Sequence, residues 1–386
     1  MAPSFDFTTV PSITVRFGGV QTLGALLNER YTPTRLCLVT DQFLHRSGLL
    51  ADPLASLTTA GWDVLVIDDV VADPPDDIIL ACVAKTRAFD ARLVVGLGGG
   101  SSMDVAKLVA VLATSAQPLS DMYGIGKVQG PRLPLVQIPT TAGTGSEVTP
   151  ISIVTTGQHT KSGIVSPVLY ADWAILDAAL TLGLPAHATA ATGIDAMVHA
   201  IEAYTSKRLK NPLSDALARE ALRLLAANVL TACNDGSHRG AREAMLLGAT
   251  LAGQAFANAP VAAVHALAYP LGGHFHVPHG LSNALVLTHV LAFNLPEAYH
   301  RYAELADCMG VSAQGTAAMA RAQAMIDHID ALIHATGIPR RLRDVGVRAS
   351  DLDMLADDAM QQQRLLVNNP REMTRSDVRA IYASAW

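Results

Sequence analysis

Sulfur and charge are both scarce in this chain. Four cysteines, Cys37, Cys82, Cys233 and Cys308, are scattered through 386 residues. None has a neighbour at CxxC spacing, which argues against a disulfide framework or a cysteine zinc site and leaves reduced thiols of a cytoplasmic protein as the expectation. Charged residues make up 16% of the sequence, the net charge is -6 and the pI is about 6.1, so the basic footprint of a nucleic-acid binder is missing. Small molecules are the expected partners. A bilayer-length apolar run is lacking too. Mean hydropathy is +0.28 and residues 244–273 hold no Asp, Glu, Lys or Arg. Gln254, Asn258, Pro260, His265 and several glycines nevertheless interrupt that stretch, which suits buried helices around a polar site better than a membrane span. The opening MAPSFDFTTVPSITVRF has no basic start before an apolar core, so no signal peptide is expected.

Half the residues are hydrophobic, enough for a large core, and the length suggests more than one domain. As far as Leu182, short β-branched runs (RLCLVTD, DVLVIDD, ARLVVGLGGG, LPLVQIP, WAILD) alternate with helical stretches, the rhythm of a parallel sheet with crossover helices. Beyond Pro185, Ala/Leu-rich segments with helical spacing take over. The expected division is an α/β domain over residues 1–182 and an all-α domain over residues 183–386.

ARLVVGLGGGSSMDVAKLVAVLA reads as strand, turn and helix, with Gly98, Gly99 and Gly100 in the turn and Ser101 or Ser102 as the helix cap. Glycines let a ligand approach the backbone, and a helix start offers free N–H groups to a pyrophosphate. The alternative is turn geometry alone, and the spacing departs from GxGxxG. A second loop, PTTAGTGSEVTP over residues 139–150, follows another strand with Thr140, Thr141 and Thr144 as hydroxyl donors to a cofactor. Asp41 closes RLCLVTD, where a carboxylate either binds an adenosine ribose, favouring NAD over NADP, or caps the helix that follows.

ATGIDAMVHAIEAYTS reads as a helix with Asp195 and His199 four apart on one face, a spacing that lets both reach one ion. His265, His274, His276 and His279 crowd the segment VHALAYPLGGHFHVPHGLSNA. Imidazoles with a carboxylate suit iron, zinc or manganese; calcium and magnesium would take oxygen almost exclusively.

These motifs, together with FGG near residue 17 and the closing NNPREMT, resemble those of the iron-containing, group III alcohol dehydrogenases over essentially the whole chain. The resemblance implies a dehydroquinate synthase-like architecture: a Rossmann-like dinucleotide domain followed by an all-helical metal domain. It implies Asp195, His199, His265 and His279 as ligands of Fe2+, with Zn2+ as the alternative. It also implies that Gly98, Gly99, Gly100, Ser101, Asp104, Thr140, Thr141, Thr144 and Lys161 line NAD, and that the chain forms a homodimer or higher homo-oligomer. Many relatives read HAxAHP where this chain has HALAYP, so Tyr269 stands where a histidine often serves the proton path. Tyrosine titrates near 10 and is the poorer base, which makes Tyr269, His274 and His276 all candidates for the relay. The expected activity is NAD-linked oxidation of a small neutral alcohol, or reduction of the aldehyde. The rivals are a glycerol dehydrogenase, maleylacetate reductase or hydroxy-acid oxidoreductase of the same family, a lyase like dehydroquinate synthase, and a non-catalytic NAD- or metal-binding protein.

Overall fold

The computed structural model describes residues 4–157, 160–311 and 317–386; Met1, Ala2 and Pro3 of the N-terminal segment lie outside the described residues. The chain divides into two compact units. One comprises Thr9–Thr141 and Ser146–Leu182. The other comprises Gly183–Trp386, Ala142–Gly145 and the N-terminal residues up to Thr8.

The first unit holds strands β1 (Ile13–Val15), β2 (Arg35–Asp41), β3 (Asp63–Val70), β4 (Leu93–Gly98), β5 (Gly124–Ile125), β6 (Leu135–Pro139), β7 (Ile151–Thr156), β8 (Thr160–Val165) and β9 (Trp173–Leu176). Its helices are α1 (Leu23–Asn28), α2 (Gln42–Arg46), α3 (Ala51–Thr59), α4 (Asp76–Ala88) and α5 (Gly100–Leu112). Six strands pair in parallel in the order β1-β9-β6-β4-β2-β3. Alternation along β2 sends Cys37 and Val39 to one apolar layer and Leu36 and Leu38 to the other, and β4 does the same with Val94 against Val95 and Leu97. Both faces are thus buried, as the unbroken apolar runs require. The chain runs from β2 out to β3, then returns to β4 on the far side of β2. That reversal leaves a crevice at the carboxyl ends of β2 and β4, where open α/β sheets bind ligands. Asp41 and Gly98 are the residues at those ends.

Two features were not expected from the sequence. β1 adds an edge strand, and β7 with β8 forms an antiparallel hairpin that joins β5 in a second, three-stranded sheet. The FGG motif is explained by Asp177, whose carboxylate accepts the backbone N–H groups of Gly18 at 2.7 Å and Val20 at 2.9 Å. Gly18 has φ +72°, which favours glycine there.

The second unit is helical: α6 (Ala186–Thr205), α7 (Pro212–Asn234), α8 (Arg239–Asn258), α9 (Ala263–Phe275), α10 (His279–Cys308), α11 (Ala318–Thr336), α12 (Leu352–Ala359), α13 (Gln363–Leu366) and α14 (Arg375–Ala385). α6 is its axis, packed against α7, α8 and α10, and alanines and Gly193 let these neighbours close in. Among the described residues no helix is long and apolar enough to cross a membrane.

One buried cation ties the α/β unit together. Lys107 of α5 is fully buried, and its Nζ donates to Ser146 Oγ (2.7 Å), the Ile151 carbonyl (2.6 Å), Asp104 Oδ1 (3.3 Å) and Thr149 Oγ1 (3.3 Å). Burial holds the amine below its usual pKa, against the pull of Asp104. A lone charge there would be costly, and the four acceptors offset the cost by anchoring residues 146–151 to α5. Lys107→Met is expected to lower the unfolding free energy by about 3–5 kcal/mol in urea titration. A loss below about 1 kcal/mol would show that the anchor is not needed.

Candidate metal centre and cofactor loops

α6 presents three consecutive turns to one place. Asp195, His199 and Glu202 lie at i, i+4 and i+7 and are 1%, 4% and 3% exposed. His265 arrives from the first turn of α9, and His279 is the first residue of α10. Gly280 makes this approach feasible, since a Cβ there would fall 2.3 Å from the Ala191 carbonyl oxygen of α6.

The Nε2 atoms of His199, His265 and His279 stand 3.9, 3.8 and 3.6 Å from Asp195 Oδ1. All four ligand atoms lie within 4.8 Å of one another. These gaps are too long for hydrogen bonds. They are close to the roughly 3.4 Å that separates neighbouring ligands of a tetrahedral ion bound at about 2.1 Å. Asn283 Nδ2, one turn along α10 from His279, donates to Asp195 Oδ1 at 2.6 Å and fixes the carboxylate. His265 is oriented from behind, because its Nδ1 bonds Glu202 Oε2 at 2.7 Å, which turns the Nε2 lone pair towards the cluster. Glu202 also accepts the N–H groups of Ala262 (2.9 Å) and Val264 (2.7 Å), so a residue of α6 caps the start of α9. Phe256 of α8 stacks on His199 at 4.3 Å between centroids and walls the site with an apolar ring. His199 Nδ1 is buried with no partner of ordinary geometry, although the Gly143 backbone lies close enough to favour its charged form.

Electrostatics follow from this geometry. Burial depresses the pKa of His199, and that of His265 more strongly, so both rings are neutral ligands at pH 7. Burial alone would raise Asp195, but the three histidines and Asn283 outweigh it and hold the carboxyl below its usual value. Burial pushes Glu202 up to about 7 in spite of its backbone hydrogen bonds. Three imidazoles and one carboxylate, with no sulfur, fit Fe2+, Zn2+ or Mn2+. His279, with 31% of its side chain exposed, marks the open side of the cluster.

The relay candidates separate. The Tyr269 ring lies 6.1 Å from that of His279, centroid to centroid. His274 and His276 are exposed and outside the cluster; His274 bonds Asp358 at 2.9 Å, and His276 ends α9 in a left-handed conformation with φ 54°. Glu202 and Asn283 escaped the sequence reading, although Glu202 stands three residues after His199 and Asn283 four after His279 on helical faces already marked by ligands.

The expected cofactor residues also divide. Gly98 ends β4, where a side chain would collide with Ser102 at 2.6 Å. Gly99 is the cap of α5, so neither Ser101 nor Ser102 has the capping role expected of it; both lie inside the first turn. The Thr140 N–H donates to the Gly98 carbonyl at 3.0 Å, and Thr141 lies beside Gly99, so the two loops meet. Thr144 belongs to the short segment that joins the helical unit, where Gly145, with φ +61°, packs against Gly253. Asp41 accepts the Leu44 N–H at 2.9 Å and caps α2. Asp104 accepts from Ser146 Oγ (2.5 Å) and the Ile153 N–H (2.9 Å), and Lys161 pairs with Asp73 at 2.6 Å.

Comparison with known proteins bears on both parts. The family model "Iron-containing alcohol dehydrogenase" matches residues 11–178, and "Fe-containing alcohol dehydrogenase family, C-terminal" matches residues 189–386. Long-chain-alcohol dehydrogenase 1 of Geobacillus thermodenitrificans is 40% identical over 361 residues, covering 93% of this chain and 91% of that one. NAD-dependent methanol dehydrogenase of Bacillus methanolicus is 33% identical over 381 residues, covering 98% and 99%. The crystal structure of a 1,3-propanediol oxidoreductase superposes with a TM-score of 0.95 at 36% identity, covering 100% of both chains.

A cation beside Glu202 favours the carboxylate over the acid, so metal binding releases a proton wherever the metal-free group is still protonated. With that group at about 7, affinity for Zn(II) is expected to rise as pH increases from 6 towards 7 and to level off above 8. Calorimetric titration at three pH values measures this; a flat or falling affinity would contradict the assigned protonation.

Proposed function

The chain belongs to the iron-containing alcohol dehydrogenase family, and on that premise we propose that it oxidises a small neutral alcohol to the aldehyde, or catalyses the reverse, as a cytoplasmic homodimer or higher homo-oligomer. It is a metal-dependent, NAD-linked oxidoreductase acting on alcohols. The observation that carries this reading is the convergence of four ligand atoms on one buried point. Asp195, His199, His265 and His279 would hold the cation, Fe2+ or Zn2+. Such a cation supplies Lewis acidity that lowers an alcohol's pKa and polarises a carbonyl, with NAD as the hydride acceptor.

The chain's own residues do the rest. Asp195 contributes the single negative charge among the ligands, Asn283 locks its orientation, and Glu202 keeps His265 in the tautomer that can ligate. Phe256 excludes water from the His199 side. The Tyr269 ring, 6.1 Å from that of His279, supports a role in donating a hydrogen bond to a substrate oxygen. We favour it over His274 and His276, which are committed at the far end of α9. In the α/β unit, the sheet's reversal point supports Asp41, Gly98, Gly99, Gly100, Ser101, Thr140 and Thr141 as the dinucleotide site, and Thr144 is proposed as a cofactor residue from its place in the same sequence motif. Asp104 and Lys161 then act beside the cofactor while anchored by Lys107 and Asp73. A neutral substrate is supported by residues 244–273, which are uncharged and contribute Phe256, His265 and Tyr269. Cytoplasmic placement is supported by four unpaired cysteines.

The test is NADH formation at alkaline pH from a panel of primary alcohols and diols, using protein reloaded with Fe(II) or with Zn(II). Asp195→Ala is expected to lower turnover roughly a thousandfold or more and to lose the metal. Tyr269→Phe should cost about tenfold in kcat/KM, the worth of one hydrogen bond to a charged oxygen, with metal content unchanged. No turnover on any alcohol or matching aldehyde by metal-loaded, NAD-binding protein would overturn the dehydrogenase reading in favour of a lyase or a non-catalytic protein.

A further inference from the structure

The NNPREMT motif lies outside the metal cluster, yet Asn368 and Asn369 are only 4% and 3% exposed. Asn369 exchanges amide hydrogen bonds with Asn294 of α10, at 2.7 and 2.9 Å. Asn368 is placed differently. Its side-chain Nδ2 donates to the Val261 carbonyl at 2.9 Å and to the Arg364 carbonyl at 3.1 Å, while its backbone carbonyl accepts the Lys207 N–H at 2.7 Å. Lys207 follows the end of α6, the helix that carries Asp195, His199 and Glu202. Val261 directly precedes Ala262, whose N–H is one of the two bonded to Glu202. Asn368 therefore grips both chains that meet at the Glu202 carboxylate.

We propose that Asn368 is a positioning residue of the metal centre. By fixing residues 259–262 against the end of α6, it sets the Ala262 and Val264 N–H groups on Glu202, and through Glu202 it sets the direction in which His265 Nε2 points. The inference rests on the reading that Asp195, His199, His265 and His279 hold a divalent cation. Asn368 touches no ligand. Its contribution lies in removing freedom that the ion would otherwise have to overcome on binding; groups bonded directly to a ligand, as Glu202 is to His265, typically tune metal affinity by about 10- to 100-fold, and Asn368, acting through Glu202, falls at the low end of that range.

The experiment titrates the metal-free, full-length protein with Co(II), whose visible bands report ligand geometry, and follows NADH affinity by fluorescence on the same samples. Asn368→Asp keeps size and shape but replaces the amide donor with an oxygen facing the Val261 carbonyl. It is expected to bind Co(II) about 10-fold more weakly with altered bands, while NADH affinity stays at the wild-type value. Asn368→Gln, which retains the amide, should recover part of the affinity. If Asn368→Asp does not fold, Asn368→Ser, whose hydroxyl is too short to reach Val261, takes its place with the same expectation. Wild-type Co(II) affinity and bands accompanied only by a lower melting temperature would overturn the proposal and leave Asn368 a purely structural residue. Failure of the wild type itself to bind Co(II), or equal binding by Asp195→Ala, would instead overturn the metal reading on which it rests.

Discussion

Three imidazole nitrogens and a carboxylate oxygen face one another in the interior of the helical unit at separations too long for hydrogen bonds. An arrangement of lone pairs converging on one point is unfavourable without a cation, and burial raises the cost. Much of the surrounding structure is intelligible as the means of holding it. α6 is buried from Gly193 to Thr205, so Asp195 and His199 cannot swing out to water. Gly280 admits α10 against α6, Glu202 joins α9 to α6, and Asn283 braces Asp195. Each ligand comes from a helix, and each helix start or face is fixed by a contact made within the same unit.

The α/β unit obeys a different constraint. Its sheet must bury both faces and still leave polar backbone available where the strand order reverses. Gly98 and Thr140 meet at adjacent strand ends, and Lys107 ties the segment after the second loop to the helix after the first. A buried lysine with four oxygen partners is a costly device for packing alone. It is better understood as the fixture that keeps the two loops in register.

Much of this was legible in the sequence, because the relevant signals are periodic or local. Five β-branched runs correspond to β2, β3, β4, β6 and β9, and the i, i+4 pair of Asp195 and His199 correctly implied a shared face. What escaped depends on contacts distant in sequence. Nothing near Glu202 reveals that it caps a helix sixty residues away, and nothing near Asn368 points to Val261. The β7–β8 hairpin was missed because TKSGIV, with Lys161 and Gly163, lacks the composition of a strand and gains its register only from its partner. His274 and His276 were singled out for their density in sequence; at the end of α9, His274 bonds Asp358 and His276 takes a left-handed cap. The serines after the glycine run were expected to cap α5, yet the extended backbone of Gly99 places the cap two residues before Ser101.

X-ray absorption of the Zn(II)-loaded protein tests directly what binds at the cluster. Three histidines and one aspartate should give a four-coordinate first shell of nitrogen and oxygen at roughly 2.0–2.2 Å, with outer-shell scattering from about three imidazoles. A shell of oxygen alone without imidazole scattering, or sulfur at about 2.3 Å, would contradict that ligand set.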